Sequence, residues 1–243
     1  METRTPLDGQ KILILRHPDA AASMTQGITN LGGKVDAVPA IAITPIPSGI
    51  AQITPEILGP IDTLIITSNE TVSILFKIHT IIDLLKLKSY IAVGPSTYQS
   101  LINAGIPAHQ IKISSIHSAK GIRDEWGASL AHDHVLYPTS EAADPSLIKS
   151  LQCASVTQVA LYRPETIKIA IAHANQYDYI VMTSGSIARS FFSQYPPETL
   201  VATYIAMGQQ TADVIRSYSS RVITAYPSTQ EGIIKALVSL QST

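Results

Sequence analysis

DTLIITSNETVSILF, residues 62–76, returns as DYIVMTSGSIARSFF, residues 178–192. Each copy opens with Asp, runs through an apolar stretch to Thr-Ser, adds a small polar residue and continues as a helix-type pattern. A short apolar run is strand-length, and hydroxyl residues at its end are helix-start signals, so each copy reads as a strand that bends into a helix. The similarity extends beyond the junctions. YIAVGPSTYQSLINAGI comes after the first and YIAMGQQTADVIRSY after the second, with Gly94 lying 26 residues beyond Ser68 and Gly208 lying 24 beyond Ser184. The next segments, IKISSIHSAKGIRDEW and VITAYPSTQEGIIKAL, each give a strand, a loop with Ser and a helix with a Lys-Gly or Glu-Gly step. Residues 62–131 and 178–240 are thus two versions of one three-strand unit.

Two strand-helix-strand units remain, at 11–38 and 134–161, and each three-strand unit needs one of them to complete a sheet. The expected strands are 11–15, 34–38, 62–66, 90–93, 111–113, 134–137, 156–161, 178–182, 202–207 and 221–225. Ten strands suit two sheets better than one. The pairing nests one domain inside the other: residues 1–40 join 166–243, and 47–158 form the insert. The crossings are AIAITPIP (40–47) and VALYRPE (159–165), both extended in character and both interrupted by proline. The expected class is α/β, with two similar lobes of parallel five-stranded sheets flanked by helices, one lobe inserted in the other.

Composition narrows the functions. The 243 residues are 45% hydrophobic, enough for a core in each lobe. With 17 basic against 18 acidic residues, no overall field recruits nucleic acid or an anionic membrane. One cysteine, Cys153, excludes an internal disulfide and fits a reducing compartment. METRTPLDGQK has no apolar export core, and no apolar stretch approaches the roughly 20 residues that span a bilayer, so the expectation is a cytoplasmic protein. No glycine-rich phosphate loop follows any strand, no zinc pattern occurs, and His132 with His134 reads as a solvated strand entry; no cofactor or metal is expected.

In doubly wound sheets the strand carboxyl ends and helix amino termini face one crevice, which favours anionic ligands. Residues expected at that edge are Ser68, Asn69, Ser96, Thr97, Thr139, Ser140, Thr183, Ser184, Ser186 and the run Gln209, Gln210, Thr211. Any one of them alone is explained by helix capping. Together, such neutral donors suit a ligand with several carboxylates.

The chain resembles the uroporphyrinogen-III synthase family over nearly its whole length. The resemblance is carried by ILILRHPDAAA, LGGKVDAVPAIAITP, DTLIITSNETV, IAVGPSTYQSLINAGI, VALYRPE, DYIVMTSGSIARSFF, IAMGQQTADVI and STQEGIIKAL. It implies two α/β lobes joined by a two-stranded connector, and a cofactor-free reaction. In that reaction hydroxymethylbilane loses its terminal hydroxyl as water and closes to uroporphyrinogen III with the last pyrrole inverted. It further implies a proton-donating role for Tyr162, matched to the family's tyrosine beside the connector; packing at the hinge is the alternative for that side chain. Thr97 and Thr211 match the threonines after the two Gly-containing turns, Ser68 and Ser184 match the Thr-Ser bends, and Arg16 matches an arginine at the first strand's end. Arg16 would bind either a substrate carboxylate or one of the protein's own. The chain departs from the family in LYPTSEAADPSLIKSLQCAS and at Gln209-Gln210, where small or hydroxyl residues are usual. The small-molecule substrate is the partner implied, with the chain a monomer that touches the preceding pathway enzyme transiently. Two other classes share these features: a two-lobed protein that binds a small anion, and a catalytically silent regulatory relative.

Overall fold

A computed structural model describes residues 5–116 and 119–241. In chain order its first elements are β1 (Lys11–Ile14), α1 (Pro18–Asn30), β2 (Lys34–Ala37), β3 (Ile41–Pro45), α2 (Pro47–Ile50) and α3 (Pro55–Leu58). Then come β4 (Thr63–Ile66), α4 (Asn69–Leu75), α5 (Ile82–Leu85), β5 (Ser89–Ala92), α6 (Pro95–Asn103), β6 (Ile111–Ile113) and α7 (Ala119–Trp126). The remainder is β7 (His134–Ser140), α8 (Ser146–Ser150), β8 (Ser155–Thr166), β9 (Tyr179–Met182), α9 (Gly185–Phe192), β10 (Thr203–Ala206), α10 (Gln209–Arg216), β11 (Val222–Thr224) and α11 (Gln230–Ser239). No helix among the described residues is long and apolar enough to cross a membrane.

The chain forms two compact units, one of residues 1–42 with 165–243 and the other of residues 43–164. The first holds a sheet in the order β11-β10-β9-β1-β2, every pair parallel. The second holds the order β3-β8-β7-β4-β5-β6. Matched strand for strand, β2-β1-β9-β10-β11 and β8-β7-β4-β5-β6 are one arrangement, except that the strand-helix-strand pair comes first in one unit and last in the other.

The second sheet has a sixth strand where five were expected. AIAITPIP, an extended crossing and one strand of the expected two-stranded connector, pairs along β8. Flanking hydrogen bonds run from Ile46 N to Leu161 O and from Ile167 N to Ala40 O, so residue numbers rise on one strand as they fall on the other and the pair is antiparallel. The physical reason is that a half-buried extended segment must satisfy its amides and carbonyls, and the long β8 offers an open ladder.

Alternation along each strand builds two core layers per sheet, as expected for strands covered on both faces. In the first unit Leu13, Ile180, Met182, Tyr204 and Ala206 face one layer, while Ile12, Ile14, Val181 and Ile205 face the other. In the second, Leu64, Ile66, Tyr90, Ala92 and Leu136 face one layer, and Ile65, Ile91, Val135 and Tyr137 the other. The repeated glycine step also has a structural cause. A Cβ on Gly121 would lie 2.0 Å from the carbonyl oxygen of Ile116, and one on Gly232 would lie 1.9 Å from that of Pro227. In both units the loop carbonyl five residues back rests on the helix where only a hydrogen leaves room.

Candidate active site

In the second unit β4 ends at Ile66, and Ser68 leaves the strand in an extended conformation (φ −152°, ψ 155°) as the N-cap of α4. Its Oγ accepts from the amide of Thr71 at 3.1 Å, which is ordinary capping. The same Oγ lies 2.8 Å from the Tyr162 hydroxyl and 3.0 Å from Thr71 Oγ1. Thr71 Oγ1 in turn reaches the Pro138 carbonyl at 3.5 Å. Four groups from α4, β7 and β8 therefore form one hydroxyl chain that ends on the phenol.

Tyr162 is held from β8. The register of β7 against β8 shifts between Thr139 and Ser140, so that Thr139 faces Ala160 and Ser140 faces Tyr162; Glu141 N then donates to Tyr162 O at 2.8 Å. A Cβ on Gly49 would stand 1.9 Å from the Ala160 carbonyl, so α2 packs onto this strand through a bare glycine. Tyr162 is only 7% exposed. Burial pushes its phenol up; the Ser68 hydrogen bond acts the other way, as does Thr71, while the charges of Glu70 and Tyr137 push up again. The net effect is upward, so the phenol is fully protonated at neutral pH. A loosely packed tyrosine with a wet hydroxyl does not describe this side chain.

Around it, Asn69 Nδ2 donates to Ser96 Oγ at 2.7 Å, tying the first turn of α4 to that of α6. The helix α6 starts from Gly94 with no side-chain cap, and Thr97 in its first turn is buried. The Thr97 hydroxyl has no hydrogen-bond partner among the described residues. Thr139 and Ser140 differ from expectation. They do not start a helix but continue β7, with Thr139 buried, because the ladder to β8 runs on past Tyr137.

The first unit gathers the equivalent set. Ser184 (φ −153°, ψ 160°) caps α9 by accepting from Ile187 N at 3.3 Å, and its Oγ lies 2.9 Å from Ser186 Oγ. Gly208 starts α10 without a side-chain cap, and Thr211 sits where Thr97 does, buried, with its hydroxyl unpartnered among the described residues. Gln209 is engaged with Asp213 at 2.6 Å, whereas the side chains of Thr183 and Gln210 hydrogen-bond no described residue. Arg16 follows β1, next to β9 at the same edge as Thr183. Its guanidinium makes no ion pair or hydrogen bond with a described residue, so the described protein supplies no carboxylate for it.

Two further side chains bear on the sequence reading. Thr71 was missed, although a Thr beside Val72 on the buried side of α4 is a polar group that needs a partner inside. Cys153 is half-buried against the second layer of the insert, because it falls in the loop after α8. Burial pushes its thiol up, and nearby Asp133 adds to the shift, which disfavours a nucleophilic thiolate.

A family model described as uroporphyrinogen-III synthase HemD matches residues 22–235. The chain belongs to the uroporphyrinogen-III synthase HemD family. Among curated proteins it is 24% identical to a "Porphyrin biosynthesis protein HemD" from Ruminiclostridium josui over 98% of this chain and 50% of that one, so it spans about half the relative's length. The fold matches solved structures of the family. A uroporphyrinogen-III synthetase from Helicobacter pylori aligns with a TM-score of 0.64 at 17% identity, covering 95% of this chain and 99% of that one. A mutant uroporphyrinogen III synthase from Thermus thermophilus aligns at 0.62 and 13% identity, covering 97% and 100%. At such identities these likenesses establish the two-sheet α/β fold shared with this synthase family.

Proposed function

We propose that the chain is a uroporphyrinogen-III synthase, a cofactor-independent hydro-lyase acting on hydroxymethylbilane. The observation that carries the reading is the Tyr162 phenol: buried, protonated and bonded to Ser68 at 2.8 Å. The hydroxyl of hydroxymethylbilane is a poor leaving group as hydroxide and a good one as water. In the proposed step the C–O bond breaks with its electron pair going to oxygen, pushed by the electron-rich pyrrole, while Tyr162 gives its O–H proton to that oxygen. Water leaves and a phenolate remains, with the Ser68 hydroxyl turned to donate to it. The substituted carbon of the last ring then attacks to close the macrocycle; its bond to the existing methylene bridge breaks and re-forms at that ring's other α-carbon, which inverts the ring, and the proton lost from that carbon restores the phenol.

Binding falls to groups that the protein leaves unpaired. The hydroxyls of Thr97 and Thr211 and the side chains of Thr183 and Gln210, unpartnered among the described residues, are donors for carboxylates, and Ser96, which accepts from Asn69, and Ser186, beside Ser184, add hydroxyls that can turn to a ligand. Asn69 and Ser140 hold the second unit's edge in place, and Arg16, with no carboxylate among the described residues, offers a bidentate fork to one substrate acid.

The test supplies freshly made hydroxymethylbilane and separates the type III product from the symmetric type I isomer that forms without enzyme. Type III in excess over the blank supports the synthase reading. Type I alone overturns it and leaves an anion-binding or silent relative.

A further inference from the structure

We propose that Thr71 is a positioning residue that sets the orientation of the Tyr162 hydroxyl proton through Ser68. This rests on the reading of Tyr162 as proton donor and adds a residue that neither the repeat nor the family resemblance singled out. Thr71 is fully buried, so its hydroxyl must find partners inside the protein. It has two, Ser68 Oγ at 3.0 Å and the Pro138 carbonyl at 3.5 Å.

Ser68 Oγ already accepts from the Thr71 amide and has room for one more donor, so two arrangements keep both short contacts, to Thr71 and to Tyr162, bonded. In one, Tyr162 donates to Ser68, Ser68 to Thr71 and Thr71 to Pro138 O; the phenolic proton then points into the protein. In the other, Thr71 donates to Ser68, Ser68 donates to Tyr162, and the phenolic proton points away, available to a leaving group. Both use the contacts of 3.0 and 2.8 Å; the second gives up only the one of 3.5 Å, at the limit of hydrogen bonding, so little separates them. The second also leaves a donor on the phenolate once the proton has gone. Thr71 takes part in the choice because its proton goes either to Pro138 or to Ser68, and once it goes to Ser68 the Ser68 proton is directed on to Tyr162.

The first unit shows what the same junction looks like without this device. Three residues beyond Ser184 stands Ile187, which is apolar and buried, and Ser184 lies against Ser186 instead of a phenol. Capping of the helix is retained there, so capping does not require a hydroxyl at this position.

The test replaces Tyr162 by a fluorinated tyrosine, whose phenol ionises at lower pH, and follows its titration by fluorine NMR in the full chain without substrate. Glu70 and Tyr137, the charged and titratable neighbours acting on this phenol, are kept unchanged in every variant. Thr71→Val should move the titration midpoint up by about half a unit or more, because a donor that favours the phenolate no longer feeds Ser68. Thr71→Ser should return it to the parent value. In the natural-tyrosine protein, Thr71→Val should lower kcat roughly tenfold with KM little changed. Thr71→Ala, which adds no bulk, takes the place of Thr71→Val if that variant does not fold. A midpoint that is the same in the parent and in the hydroxyl-free variant overturns the proposal whatever the activity does. Failure of the Tyr162 reading looks different: Tyr162→Phe turns over normally while the midpoint still follows Thr71.

Discussion

Ser68 and Ser184 share a backbone conformation, with φ of −152° and −153°, and each caps a helix by accepting from the amide three residues on. Their surroundings diverge. Ser68 meets a buried phenol at 2.8 Å and a second hydroxyl at 3.0 Å, whereas Ser184 meets its neighbour Ser186 at 2.9 Å, with an isoleucine where Thr71 would be. The same contrast runs through the other repeated pairs. Gly121 and Gly232, which the backbone requires, behave alike. Tyr90 and Tyr204, both wholly buried, do not: Tyr90 donates to Leu85 O at 2.7 Å, while the Tyr204 hydroxyl is sealed without a partner among the described residues. A duplicated unit repeats what its fold needs and differs where a side chain has another task or none.

That contrast can be broken at several points. The largest stability effects are expected at the glycines. Gly121→Ala and Gly232→Ala each press a methyl group onto a loop carbonyl, and each should destabilise its unit by about 2–3 kcal/mol in urea unfolding. A large loss in one and none in the other would break the equivalence. Next come the caps. Ser68→Ala and Ser184→Ala should each cost about 1 kcal/mol of stability, but only Ser68→Ala should also lower kcat, since it strips Tyr162 of its partner; equal kcat values would remove the functional difference between the junctions. The tyrosine pair should then split in sign. Tyr90→Phe loses a buried hydrogen bond and should destabilise by about 1 kcal/mol, while Tyr204→Phe removes an unsatisfied hydroxyl and should be neutral or stabilising by up to about 1 kcal/mol.

The smallest effect concerns pH. Burial pushes Tyr177 up to about 12, helped by its bond to Asp36, and burial also raises Tyr90, Tyr162 and Tyr204. A phenol whose folded pKa lies above its unfolded value of about 10 keeps its proton where the unfolded chain loses it. The corresponding stability is complete below about pH 10 and declines as pH rises from there towards the folded values. Unfolding midpoints should fall over that range, and Tyr177→Phe should flatten the decline. A midpoint independent of pH would contradict the burial of these phenols.

The sheets were readable because their signals are local. Apolar runs such as DTLII and DYIVM, bounded by Thr-Ser, mark strand and helix together, and the repeat sorted strands between sheets without any long-range information. The β3–β8 pair was legible only through the two-stranded connector that the family resemblance implies, because AIAITPIP pairs with a partner more than a hundred residues away and nothing within the segment states whether its amides face solvent or a ladder. At the site, Ser68 and Tyr162 are nameable from sequence, but their contact depends on the bulge between Thr139 and Ser140, which sequence does not reveal. Thr71 went unseen for a related reason: a threonine three residues into a helix looks like a surface residue until the helix is known to turn it inward.

Turnover of hydroxymethylbilane by Tyr162→Phe, measured beside the parent protein with the isomers separated, is the most direct test of Tyr162 as proton donor. We expect kcat to fall about a hundredfold, with the folded state retained and stability lowered by no more than about 1 kcal/mol for the lost bond to Ser68. A well-folded Tyr162→Phe protein that makes type III product at the parent rate would contradict it.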